Sequence, residues 1–273
     1  MLLAEIGREL ETRVPSCYAE DWDSVGWMIA PLSEDLQGIL ICVDPSPEAF
    51  RYAFENGHNL VIAHHPLFFD PLDRLREDIP LQNMAMQAVR ENCGVYAMHT
   101  NADSCAGGLN DLFAGYLGLG NCRPLLPSEE SPAIGLGRVG ELATAQSCAT
   151  LEKKLLAYPR ISYLRSTACL EREFKNIALC TGSGGDLITE INPREIDLYI
   201  TGDVKHHQVE EARLKGLELI IVDHYEMETV FLDFMHKILL EDIQYDGPVD
   251  FFVRRNPYRH RVEDRYLTRE EKK

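Results

Sequence analysis

The chain has 273 residues, 45% of them hydrophobic and 26% charged, with a formal net charge of −17 at pH 7. That length allows one large or two medium domains with an ample core, and the acidic excess speaks against broad, sequence-independent binding to nucleic acid, which depends on Lys and Arg neutralising phosphates. No run reaches the roughly 18 uninterrupted apolar residues of a membrane helix, Glu5 and Arg8 interrupt what would be a signal peptide's apolar stretch, and no C-x-x-C pair occurs among the cysteines, so a cytoplasmic protein with reduced thiols and no membrane contact is expected.

Apolar residues at helical spacing predict a helix over residues 2–10, and a short strand should follow the segment Trp22-Asp23-Ser24-Val25-Gly26-Trp27. Residues 38–44 read as a buried strand, 48–55 as a helix stopped by Gly57, and 60–63 as a second strand. A Pro-rich loop over 66–80, a helix over 81–92 and a strand over 94–98 come next. Pro and Gly break the stretch 125–140 throughout, which makes it the expected boundary. Beyond it come a helix over 148–156, strands near 161–166 and 176–180, a helix over 186–191, a strand over 197–200, a helix over 206–215, a strand over 217–222 and a helix over 226–240. Strands separated by helices imply an α/β architecture with a largely parallel sheet, and the common layout of the two halves suggests an internal repeat.

Four clusters of histidine and carboxylate stand at the ends of apolar runs: His64-His65-Pro66, His99-Thr100-Asn101-Ala102-Asp103, Asp203-Val204-Lys205-His206-His207, and Asp223-His224-Tyr225-Glu226-Met227-Glu228. Imidazole and carboxylate are ligands of divalent transition metals. Adjacent His64 and His65 point to opposite sides of an extended backbone, which suits two neighbouring ions. His224 and Glu228 share a helix face at i, i+4 spacing, and Asp103 follows His99 by four residues at a strand end. These five residues, His64, His65, Asp103, His224 and Glu228, are the candidate ligands. With one bridging carboxylate they leave open positions for water, as catalytic metals do.

Other readings compete. Asp103 could cap the helix that follows it, Glu226 could replace Glu228, and His58, His236 and His260 read as surface or packing residues. His206 and His207 could be ligands, supports of ligands, or substrate contacts.

Taken together, these motifs resemble the NGG-interacting-factor-like dinuclear metal-centre family, whose members often bear the name GTP cyclohydrolase I type 2 homologue. Trp22-Asp23-Ser24-Val25-Gly26, Gly137-Arg138-Val139-Gly140 and Gly182-Ser183-Gly184-Gly185 extend the likeness over residues 1–257. The resemblance implies two intertwined α/β lobes, each with a mixed, mostly parallel sheet flanked by helices. Residues 1–124 with 220–273 would form the first lobe, carrying most of the metal ligands, and 125–219 the second. It also implies a toroidal homohexamer with the metal sites lining its cavity. Carried over by position, His64, Asp103 and Glu228 would hold one ion, and His65, His224 and the bridging Glu228 the other. The chain departs from the family pattern at Asp223 and in the order His-Tyr-Glu-Met-Glu, and it carries a charged extension over 258–273.

If the chemistry is GTP ring opening, His99, His206 and His207 are the candidate acid-base groups. Lys205 and the loop through Gly182, Ser183 and Gly184 are candidates to meet the phosphates, although no Gly-Lys-Ser/Thr closes that loop and a plain tight turn is its competing reading. Hydrolysis of a phosphoester or amide bond by two metals, and a non-catalytic metal-binding assembly, are the alternatives. The ligand types fit Zn, Fe, Mn or Ni equally.

Overall fold

Continuous aliphatic runs such as Ile39–Cys42 and Leu60–Ala63 have no polar face to offer water, so such strands must be covered on both sides. The computed structural model describes residues 1–30, 35–129 and 131–254; His260 and the charged stretch 258–273 lie outside them. In chain order the elements are α1 (Leu3–Arg13), β1 (Gly26–Ile29), β2 (Ile39–Cys42), α2 (Pro47–Glu55), β3 (Leu60–Ala63), α3 (Pro80–Arg90), β4 (Gly94–Ala97), α4 (Thr100–Ser104), α5 (Leu109–Leu117), β5 (Leu119–Pro127), β6 (Gly135–Ser147), α6 (Cys148–Leu156), β7 (Leu164–Ser166), β8 (Glu173–Ser183), β9 (Leu198–Gly202), α7 (His206–Lys215), β10 (Glu218–Val222), α8 (His224–Glu228), α9 (Val230–His236) and β11 (Val249–Phe252). A 3₁₀ turn over Gly185–Glu190 and a π turn over Lys237–Asp242 complete the part that bears on the site.

The strands form two mixed sheets, ordered β1-β4-β3-β2-β11 and β5-β6-β8-β9-β10-β7. Each contains three consecutive parallel strands, β2-β3-β4 and β8-β9-β10, with an antiparallel strand on the last of them, β1 on β4 and β7 on β10. The shared layout read from the sequence is present at this level.

Side-chain alternation sorts the core into three parts. Ile39, Ile41, Leu60 and Ile62 of the first sheet and Ile177, Leu179, Leu198 and Ile200 of the second face a common interior, filled by Ile6 and Leu10 of α1, by Phe113 of α5 and by Phe231 of α9. On the outer face of the first sheet, Leu40, Val61 and Val95 pack on Phe50 of α2 and Met84 of α3. Ala178, Tyr199 and Leu219 pack on Ala212 of α7 outside the second. Both sheets are therefore covered on both faces, as their unbroken apolar runs require.

Three expectations need correction. The stretch 125–140 is not a structureless boundary: it holds the turn of the β5–β6 hairpin, paired from Leu119↔Leu142 to Pro127↔Gly135. An edge strand can spare backbone N–H groups, so β5 tolerates Pro124 and Pro127, and Gly137 takes φ +61 where a Cβ would lie 2.8 Å from Leu179 O. Second, β5 and β10 pair within the second sheet while β11 returns to the first, so sheet membership does not change at 124/125 and 219/220. Third, the helix expected over 226–240 starts earlier, at His224, and is divided into α8 and α9 at Thr229, whose Oγ1 donates to Glu226 O at 2.6 Å.

Register fixes where the functional residues emerge. Cys42, Ala63 and Ala97 are aligned across β2, β3 and β4, and Cys180, Thr201 and Ile221 across β8, β9 and β10. The residues just past these carboxyl ends are where open α/β sheets place their ligands.

Candidate metal centre

Past the end of β3, His64 N donates to Cys42 O at 3.1 Å and His65 N to Val43 O at 3.0 Å. The strand ends at Ala63 and the backbone bends through both histidines. Their rings, with centroids 5.1 Å apart and planes at 42°, therefore do not point to opposite sides as an extended backbone would have them, and their donor atoms lie within 4.8 Å of each other. From the second sheet, β10 leads into α8, where Asp223 Oδ1 accepts from Glu226 N at 3.1 Å as the cap. One helical turn then brings His224 Nε2 to 2.9 Å from Glu228 Oε1.

Glu228 is the point of convergence. Its Oε1 lies 3.6 Å from His64 Nε2, and its Oε2 lies 3.2 Å from His65 Nε2. Asp103, in α4, approaches His64 Nε2 with Oδ2 at 3.9 Å. All five candidate ligands are brought together. His99 joins them: its donor atom and those of His64 and His65 lie within 4.8 Å of one another, as do those of His65, His224 and Glu228.

The four histidines are presented in the same way. Each Nδ1 faces an outer acceptor: Met98 O at 2.9 Å for His64, Asp44 Oδ1 at 2.8 Å for His65, Asp23 Oδ1 at 2.9 Å for His99 and Asp203 Oδ2 at 2.7 Å for His224. Nε2 is left to face inward, the arrangement by which outer acceptors fix the tautomer of metal-binding imidazoles. Asp103 is held likewise, with Oδ1 accepting from Thr181 Oγ1 at 3.0 Å and its backbone oxygen from Asn110 Nδ2 at 3.0 Å. Of these partners, Asp44 was not singled out in the sequence, and Asp23 and Asp203 stood in motifs without a role. The signal that could have found them is position, since Asp44 and Asp203 follow the ends of β2 and β9.

The residues fit a divalent ion. His64 is 0% and Glu228 3% exposed, yet His64 Nε2 and Glu228 Oε2 have no hydrogen-bond partner of good geometry among the described residues. Leaving a buried polar atom so costs about 1–3 kcal/mol, and a shared ion would satisfy both. Charge follows the same pattern. Burial opposes an imidazolium at His65, but Glu228 and Asp44 push its pKa up to about 10. Burial likewise opposes charge on His224, while Asp203 and Glu228 push it up to about 11. Burial alone would raise the Glu228 carboxyl, but the charge of His65 and the adjoining His224 and His64 hold it well below the usual carboxylate range. For Asp103 burial prevails over His64 and His99, and its carboxyl is raised.

A cavity of about 540 Å³ opens onto the cluster, lined by His65, His99, Asp103, His224 and Glu228 together with Trp22, Phe69, Glu20, Thr181, Ser183 and Asp186 among others. None of its described lining residues is Lys or Arg.

The remaining expected site residues lie elsewhere or act differently. Lys205, His206 and His207 are exposed at the start of α7 and do not line the cavity. Gly182 and Ser183 belong to β8 instead of a loop. Gly184 N donates to Thr201 Oγ1 at 3.1 Å, which removes it as a phosphate donor. Glu226 does not compete with Glu228, because its carboxylate accepts from Ser162 N at 2.8 Å and Ser162 Oγ at 2.6 Å. Asp103 lies inside α4 and does not cap α5, whose capping position is Gly108.

The family model described as Duf34/NIF3 (NGG1p interacting factor 3) matches residues 1–257. A Nostoc protein named GTP cyclohydrolase 1 type 2 homolog is 35% identical over 208 residues, covering 74% of this chain and 78% of that protein. A Clostridium perfringens protein of the same name is 29% identical over 93% of this chain and 96% of its own length. In fold, a Bacillus cereus protein related to NIF3 superposes with a TM-score of 0.84 at 19% identity, covering 95% of this chain and 99% of that one.

Proposed function

Because the chain belongs to the Duf34/NIF3 (NGG1p interacting factor 3) family, we propose that it is a dinuclear metal-dependent hydrolase that opens a nitrogen heterocycle, with GTP, the nucleotide in its relatives' name, as the leading substrate. The observation that carries this reading is Glu228, a buried carboxylate with one oxygen 2.9 Å from His224 and the other 3.2 Å from His65. His64, Asp103 and Glu228 would hold one divalent ion, and His65, His224 and Glu228 a second. Zn, Fe, Mn and Ni all suit this donor set. When bound, such ions make water a nucleophile near neutral pH and act as Lewis acids.

The protein's own groups do the rest. His99, fixed through Nδ1 by Asp23, presents Nε2 to the cavity as the group that moves a proton during ring opening. Thr181 keeps Asp103 facing His64.

Phosphoester hydrolysis by the same donors is the second reading. What favours ring opening over it is the name of the relatives, since two divalent ions would support in-line phosphoryl displacement equally well. Lys205, His206 and His207 then serve the phosphate tail or an adjoining subunit of the hexamer expected for the family. No helix among the described residues is long and apolar enough to cross a membrane, which accords with action in the cytoplasm.

The test combines elemental analysis with a formate-release assay on GTP, for wild type and Glu228→Ala. Two equivalents of metal and formate in the wild type, both lost in the variant, are expected. Wild-type protein that binds metal but turns over neither GTP nor phosphoesters would favour a non-catalytic assembly. Light scattering on the same sample reads the oligomer.

A further inference from the structure

The cavity wall carries features that the metal donors do not use. Trp22 is 61% and Phe69 52% exposed, and both meet the His99 ring edge-on, at centroid distances of 5.9 and 5.7 Å and an interplanar angle of 75° each. Both line the cavity beside the donors, and exposed aromatic faces suit stacking by a flat ring. Beside them lies Glu20. Its backbone N–H donates to Thr100 Oγ1 at 3.0 Å, which anchors it next to His99. Its carboxylate is half-buried and accepts no hydrogen bond among the described residues. Burial and the nearby charges of Asp21 and Asp23 push that carboxyl above its usual range, a strain that donors from a ligand would relieve. Asp186, another acid of the wall, already accepts from Gln208 Nε2 at 2.7 Å through Oδ1.

With no Lys or Arg in its described lining, this part of the wall offers acceptors to N–H donors. A carboxylate accepts two parallel hydrogen bonds, so its best partner is a pair of adjacent N–H groups on one edge of a ring. We propose that Trp22, Phe69 and Glu20 form a recognition site for a planar nitrogen heterocycle with two adjacent N–H donors, as guanine has, stacked on the aromatics with its donors on the Glu20 carboxylate. This rests on the reading of the cavity as the substrate site and adds the residues that choose the substrate. Adenine and hypoxanthine present a single N–H donor position along that edge, so the site discriminates against both.

Calorimetric titration of the purified protein with guanosine and with inosine, which lacks the 2-amino group, tests the assignment. Guanosine is expected to bind about tenfold more tightly, the worth of one hydrogen bond to a charged group. Glu20→Gln should bring the two affinities to within about twofold, since an amide accepts only one of the pair, and Trp22→Ala should weaken both nucleosides by a similar factor. Thermal melting verifies that each variant is folded, and Glu20→Asp, with a shorter reach, gives an independent second variant expected to lose the preference. Absence of nucleoside binding, equal wild-type affinities, an unchanged preference in both Glu20 variants, or loss of preference in Asp186→Asn instead, overturns the proposal. Formate release from GTP is measured in parallel. Guanosine preference that depends on Glu20 without formate leaves recognition standing and removes ring opening, whereas formate without Glu20 dependence does the reverse.

Discussion

Gly182 packs its bare Cα against the Glu228 carboxylate: a Cβ at position 182 would lie 2.1 Å from Oε1. The backbone there also holds φ +69, so a side chain is excluded twice, by contact and by conformation. Gly182→Ala should push Glu228 off its imidazole partners and lower metal affinity by about tenfold or more, the scale of disturbing a ligand's surroundings. Competition with a chromogenic chelator reads the loss. Unchanged affinity would mean that Glu228 does not need its position.

Metal uptake should depend on pH. His65 and His224, with pKa values of about 10 and about 11, both carry protons at neutral pH, and a divalent ion competes for the same Nε2 atoms. Because these values are raised, the protons stabilise the metal-free fold fully below the unfolded His pKa, near 6.5, and that contribution is lost as pH rises through about 10 to 11. Apparent metal affinity should therefore climb between pH 6 and 9, with about two protons released per chain at pH 7. Titration calorimetry in buffers of different ionisation enthalpy counts them.

Asp23 controls His99 without facing the other donors. It accepts from His99 Nδ1 at 2.9 Å and from Thr100 N at 3.0 Å; burial would raise its carboxyl, but His99 and Thr100 lower it to about 2. Asp23→Asn should cut turnover by about 10–100-fold by freeing the tautomer of His99, while metal content measured by elemental analysis stays at the wild-type value. Loss of metal would instead make His99 a ligand.

Arg138 is 2% exposed and pairs with Asp111 through Nε at 2.6 Å and Nη2 at 2.9 Å, while Nη1 donates to Gly135 O and Gly137 O and Nη2 also to Cys105 O. It ties the β5–β6 hairpin to the end of α4. Arg138→Ala should destabilise the fold by about 3–5 kcal/mol, because it strands a carboxylate and several carbonyls. Urea unfolding of the metal-free protein measures this. Glu226→Gln, by contrast, should weaken the tie to Ser162 and leave metal affinity as it was.

The parts legible in the sequence were those with one dominant local signal. The strand Leu60–Ala63 and the helices Cys148–Leu156 and His206–Lys215 have the predicted bounds, since each is an apolar run or a helical segment between clear stops. The spacing of His224 and Glu228 likewise gave their contact. The hairpin was hidden because β5 is an edge strand whose nine residues bury only two, so it has neither alternation nor a solid apolar run. Asp23, Asp44 and Asp203 were unreadable for another reason: their roles come from pairing across elements 21 to 76 residues apart, and nothing local distinguishes an acid that orients an imidazole from one that faces water. The loop over 181–185 misled because Gly-rich sequence serves close approach to a carboxylate as well as to a phosphate.

Glu228 also sets a schedule. It lies 164 positions after His64 (228 − 64) and meets His64, His65 and His224, so it is the last of the five donors to leave the ribosome. At roughly 5–20 residues per second, His64 and His65 wait about ten seconds or more for the carboxylate that completes their surroundings. An ion that needs all five groups would therefore be bound only after Glu228 has joined the two histidines from the other sheet.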